Sequence, residues 1–211
     1  MKRVKNMNKE MKMEAAKNQE LDKNLNDEVF GYNGKKYTLY ELRCSANNYL
    51  TSDPKECRQK LKEKYAKVYN CIEQEVPPSI LKEVYSLDSN FKEICEPVSG
   101  YTKNDYYASN LGRIRHFGKI MLQDDTNLNG YLYLKDYAEG SNKLYKFKST
   151  TPVYTFIACA FFKDFNNGTE LKHIHHINNN GYDSRPDNLI PLTQKEHSIA
   201  HGRVIKNSKE A

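Results

Sequence analysis

The chain has no tryptophan, no C-x-x-C pair and no apolar run approaching the ~20 residues that cross a bilayer. Its five cysteines (Cys44, Cys57, Cys71, Cys95 and Cys159) are scattered and odd in number. That pattern argues against a disulfide framework and against a cysteine zinc site, and it suits a reducing compartment. The basic N-terminus lacks the apolar core of a signal peptide. The expectation is a soluble, cytoplasmic protein with no membrane partner. No internal repeat is visible. What the sequence does hold is a positive balance, +6 over 211 residues with pI near 8.9, which favours polyanionic partners. Sixteen tyrosines suit half-buried strand faces or stacking on bases.

Residues 1–29 are rich in Lys, Asn, Glu and Met and read as a flexible N-terminal tail. Residues 30–89 read as a small helical region of unknown role. Tyr32-Asn33-Gly34-Lys35 signals a hairpin turn, and Thr38-Leu39-Tyr40-Glu41 is a capping box that starts a helix near Leu39. Asp53-Pro54-Lys55-Glu56 starts a second helix, with Cys57, Leu61, Tyr65, Val68 and Ile72 on one face and Val76-Pro77-Pro78 as its stop. Two helices in this order resemble a helix-turn-helix, a pattern shared by any small helical pair. Residues 90–148 change to strand and turn signals: Tyr106-Tyr107, a tight turn at Gly112, then Asn129-Gly130 ahead of Tyr131, Tyr133 and Tyr137. Residues 151–162, opened by Pro152, read as a buried helix.

Five of the six histidines lie within residues 173–201. His173-Ile174-His175-His176 reads as a strand, the Asn-rich segment with Gly181 and Pro186 as a loop, and Leu189 to Leu192 as a second strand. Thr193, with Glu196 three places on, caps a helix that carries His197 and His201 at i and i+4, on one face, with Gly202 near its end. Adjacent strand residues point to opposite faces, so His175 and His176 have different tasks. A helical i,i+4 histidine pair and a third histidine from a strand suit a divalent ion with one open position. His173 shares a face with His175 but has no assigned task, and His116 is read as incidental.

The order His175-His176, Asn188-Leu189, His197, His201 in a strand-loop-strand-helix context resembles the HNH (His-Me finger, ββα-metal) endonuclease family. Upstream, Ser109-Asn110-Leu111-Gly112-Arg113-Ile114-Arg115 resembles the NUMOD4 module that precedes HNH motifs in phage and homing-type endonucleases. The resemblance implies an α+β chain: a C-terminal ββα-metal domain over 149–211, a β-rich nucleic-acid-binding module over 90–148 with a small antiparallel sheet, and the helical region ahead of both. It assigns His176 as general base, Asn188 as an orienter of His176 or a loop brace, and His175, His197 and His201 as ligands of one divalent ion (Mg, Mn, Zn or Ni). Asn110, Arg113, Arg115, Arg185, Lys195 and Arg203 become nucleic-acid contacts. Many phage relatives carry Asp or Asn where this chain has His175 and Asn where it has His197. The all-histidine set is closer to the bacterial toxin branch. Val153-Tyr154-Thr155 stands where relatives often carry a histidine-arginine pair. The implied activity is hydrolysis of phosphodiester bonds in DNA by a phage or mobile-element type enzyme, monomeric or homodimeric. The alternatives are a metal-stabilised nucleic-acid-binding module that does not cleave, and an RNA-cleaving effector.

Overall fold

The computed structural model describes residues 24–47, 54–98, 106–135, 151–163, 165 and 173–202. Strands β1 (Glu28–Phe30) and β2 (Lys36–Thr38) form an antiparallel hairpin. Asn33 and Gly34 take positive φ, 56° and 71°, the pair of conformations a tight hairpin turn demands and Asn-Gly tolerates. Thr38 closes the expected capping box. Its hydroxyl accepts from the Glu41 amide at 3.2 Å while its own amide donates to the Glu41 carboxylate at 2.7 Å, and α1 runs Leu39–Asn47.

Helix α2 spans Pro54–Tyr69, shorter than its apolar spacing predicts. Ile72, placed by the sequence on the buried face, lies beyond the helix and is 75% exposed. The proline pair is no stop signal either, because Pro78 opens α3 (Pro78–Tyr85). Tertiary bonds end α2. The Asn70 side chain pairs with the backbone of Gln123 (3.1 and 2.8 Å), and the carbonyls of Cys71, Glu73 and Gln74 turn toward the guanidinium of Arg113. Carbonyls pointed at a side chain are lost to a helical ladder.

A four-stranded antiparallel sheet follows, in sequence order: β3 (Cys95–Pro97), β4 (Tyr106–Ser109), β5 (Ile114–His116) and β6 (Lys119–Ile120). Gly112, at φ 80°, makes the expected β4–β5 turn. A small pair, β7 (Gln123–Asp124) and β8 (Tyr133–Leu134), leads to α4 (Val153–Phe161), the buried helix expected from the apolar run. The last elements are the antiparallel pair β9 (His173–His176) and β10 (Leu189–Leu192), then α5 (Gln194–Ala200). The architecture is α+β.

Two apolar cores meet at β10. Leu189 joins Tyr65 and Val68 of α2, Leu81 and Val84 of α3, the β4–β5 sheet and Phe156 and Ile157 of α4. Ile190 and Leu192 point the other way, onto Val29, Leu39, Leu42 and Ile199. The 30–89 region therefore has no core of its own. Its hairpin and α1 cover the β10–α5 side, and α2 and α3 cover the sheet. Among the described residues no helix is long and apolar enough to cross a membrane. The Asp53 cap, the α1–α2 connection, Tyr137, Arg203 and most of the expected N-terminal tail lie outside the described residues.

Candidate metal centre

Register and helix geometry bring the histidines together. On β9, His175 pairs with Ile190 and His176 with Leu189, which fixes the two rings on opposite faces. Thr193 and Glu196 form the capping box of α5, so the helix starts where His197 falls in its second turn. His201 occupies the C-cap, and Gly202 (φ 64°) turns the chain away. The rings of His197 and His201 lie 4.6 Å apart, and that of His175 is 4.7 Å from His201 and 5.7 Å from His197.

One ring nitrogen from each of His175, His197 and His201 lies within 4.8 Å of the others. Nδ1 of His175 is 3.1 Å from Nε2 of His201. Tetrahedral bonds of 2.0–2.1 Å put ligand nitrogens about 3.3 Å apart, so the His175–His201 pair is at the spacing one ion requires and the third nitrogen lies within 4.8 Å of both. Burial first, then the charges His201, His197 and His176 would carry, pushes the His175 imidazole down to about 3. It is neutral at pH 7, the form that ligates. The residues present fit a divalent ion. His173 stands outside the triad: its Nε2 is 3.0 Å from Oε1 of Gln194 and its ring stacks on His197.

His176 occupies the other face, between the rings of Tyr131 (5.5 Å) and Tyr154 (5.2 Å). Its Nε2 is buried without a hydrogen-bond partner among the described residues. Burial pushes this imidazole down to about 4; Asp183 opposes the shift, and His197 and His201 add to it. His176 and the triad line one cavity of about 270 Å³, whose other walls come from α2, the Asn129–Tyr131 turn and the 179–182 loop.

Asn188 braces the loop between the two strands. Its Oδ1 accepts from the Asn178 amide at 2.9 Å and its Nδ2 donates to the Asp183 carbonyl at 2.8 Å. No hydrogen bond joins it to His176. The upstream module holds the same loop from outside. The Asp125 carboxylate accepts from the amides of Asn129 and Gly130 and from the Tyr182 hydroxyl at 2.9 Å. The contact is tight at Gly181, where a Cβ would sit 2.1 Å from the carbonyl oxygen of Gly130. Gly181→Ala should therefore destabilise the protein by about 2 kcal/mol or more. Denaturant unfolding checks this, and a wild-type midpoint would mean that the loop stands off the turn in solution.

The structure corrects one expected nucleic-acid contact, Arg113, and shows what the others already bond. Arg113 is fully buried. Its guanidinium bonds both oxygens of Glu93 and three backbone carbonyls, leaving nothing for a phosphate. Asn110 uses its amide on Ile94 N and Lys92 O. Arg115 is bonded to Gln74 O and Glu93. Arg185 forms a two-point pair with Asp183 and lies 3.9 Å over the Tyr85 ring. Lys195 remains exposed, its Nζ 3.5 Å from Oδ1 of Asn24. Sequence reasoning missed Asp125, Tyr182 and Arg58, which reach the site from positions far apart in the chain. Only the Asn129-Gly130 turn signal next to Asp125 hinted at any of them.

The family model described as the NUMOD4 motif matches residues 93–135, and this module is found in HNH endonucleases. No curated protein and no solved structure matches the chain.

Proposed function

We propose that the protein is a metal-dependent HNH-type endonuclease that hydrolyses phosphodiester bonds in DNA. One observation carries this reading: ring nitrogens of His175, His197 and His201 converge in a cavity that His176 also lines, with its Nε2 buried and unpartnered. A structural metal site has no need of a fourth, uncommitted imidazole beside its ligands. The NUMOD4 match directly upstream adds a DNA-acting nuclease context.

In this reading neutral His176 accepts the proton of a water that attacks phosphorus, and the nearby Asp183 carboxylate favours the imidazolium that results. Tyr131 and Tyr154 hold the ring from two sides, and Asn188 keeps the loop beneath it in shape. Held by His175, His197 and His201, a divalent ion would supply Lewis-acid polarisation of the phosphate and its leaving 3′ oxygen.

The test is incubation of supercoiled plasmid and a matched RNA with the purified protein in Mg, Mn, Ni or Zn, read for nicked and linear product. Metal-dependent DNA cleavage supports the proposal. Stoichiometric metal without cleavage in any condition would replace it with the binding-module reading, and RNA cleavage alone with the effector reading. His197→Ala should lower bound metal from one equivalent to a small fraction, measured by elemental analysis after gel filtration. Unchanged metal content would remove His197 from the ligand set.

A further inference from the structure

We propose that Arg58, on helix α2, binds a backbone phosphate of the nucleic acid at the histidine cavity, so that a segment outside both the histidine hairpin and the NUMOD4 match completes the substrate site. This rests on the endonuclease reading above. Arg58 lines the same cavity as His175, His176, His197 and His201. Among the described lining residues there is no carboxylate, and Arg58 is the one with a permanent charge. A cavity so built favours an anion.

The guanidinium is held at this place without being used up there. It runs along the turn before β8, with Nε and Cζ 3.6–3.7 Å from where a Cβ on Gly130 would lie. Among the described residues its one hydrogen bond is a long one, 3.5 Å from Nη1 to the Leu128 carbonyl, and no ion pair engages it. The residue is exposed. Arginine carries five N–H donors in a planar fork that matches two oxygens of a phosphate. Arg113 and Arg185, by contrast, have theirs committed to Glu93 and Asp183. Gly130 itself has φ 85°, a conformation glycine takes without strain, and Arg58 lies over the turn it makes. The packing of Tyr65 and Val68 into the main core fixes α2, and hence the origin of Arg58, against the catalytic half of the molecule.

The experiment compares the full-length wild type with Arg58→Ala, Arg58→Gln and Arg58→Lys. Binding of a fluorescent 20-base-pair DNA duplex is measured in EDTA over a range of salt, and cleavage kinetics are measured in the best metal. We expect Arg58→Ala and Arg58→Gln to weaken duplex binding about 5- to 10-fold and to reduce the log-log salt slope by about 1, the signature of one lost phosphate contact. KM should rise by a similar factor, with a smaller change in kcat. Arg58→Lys should keep the salt slope and recover part of the affinity. Melting midpoint and metal content should stay at wild-type values, because Arg58 packs in neither core nor triad. A folded Arg58→Ala protein with wild-type Kd, salt slope and KM overturns the proposal. If the wild type cleaves nothing yet Arg58→Ala still loses affinity and slope, the phosphate contact stands and the endonuclease reading falls. If the wild type cleaves and the variant matches it throughout, the reverse holds.

Discussion

His176→Ala should cut the rate of DNA cleavage by about 10²- to 10⁴-fold, the range of a positioned general base, while the protein still binds one equivalent of metal. The two effects separate because β9 sends His175 and His176 to opposite faces. Removing the His176 ring leaves the approach of His175, His197 and His201 intact. It also removes an imidazole that burial holds neutral, and the flanking Tyr154 cannot substitute for it. Burial raises the Tyr154 phenol to about 12, so at neutral pH it is a donor and no base. Single-turnover cleavage with saturating enzyme and metal analysis on the same preparation would measure both. A variant that cut at the wild-type rate would withdraw His176 from the reaction. One that lost metal and activity together would place it among the ligands.

Arg113→Met should destabilise the fold by about 3–5 kcal/mol, as expected when one member of a buried ion pair is removed. The guanidinium is wholly buried and forms the hub on which three parts of the chain close: Glu93 ahead of β3, the Cys71–Gln74 segment after α2, and the turn between β4 and β5. Without it the Glu93 carboxylate keeps only Ser109 and the more exposed Arg115, and the Cys71 and Glu73 carbonyls lose this donor. Burial alone would raise the Glu93 carboxyl. Hydrogen bonds from Arg113 and Ser109 and the charges of Arg113 and Arg115 outweigh it and hold the group below its ordinary value of 4.5. A depressed acid stabilises the native state fully above its unfolded value, and that stability is lost as pH falls through the folded value. Wild type should therefore weaken on acidification. The deficit of Arg113→Met should shrink below about pH 4.5, where a protonated Glu93 tolerates burial. Urea unfolding at pH 7 and pH 4 tests both, and a difference that did not change with pH would mean that Glu93 is solvated.

Arg113 also marks where reading a motif and reading a structure part. Ser109 to Arg115 was recognisable, and the strand, Gly112 turn and strand it implies are present. The use of its arginine was not recognisable. A residue type that suits phosphates equally suits carboxylates and carbonyls, and burial decides between them. Asn188 is similar. Its presence in the hairpin was readable, and only the structure shows that its amide bonds Asn178 and Asp183 across the loop. The length of α2 was misjudged for a related reason. Helical spacing continues to Ile72, but beyond Tyr69 the Asn70 side chain is drawn to Gln123 and the Cys71 carbonyl to Arg113, forty or more residues away.

What the amino-acid sequence determined by itself is local. Strand alternation separated His175 from His176, the Thr193–Glu196 box set the phase of α5, and i,i+4 spacing put His197 and His201 on one side. Each depends on neighbours within a few residues, so each is written in the chain. The tertiary structure alone decided what closes around those histidines: α2 with Arg58, the Asp125–Tyr182 link, and Gly130 against Gly181. These contacts join residues 51 to more than 100 positions apart. They arise from two apolar cores meeting at β10, and no local pattern encodes such a meeting.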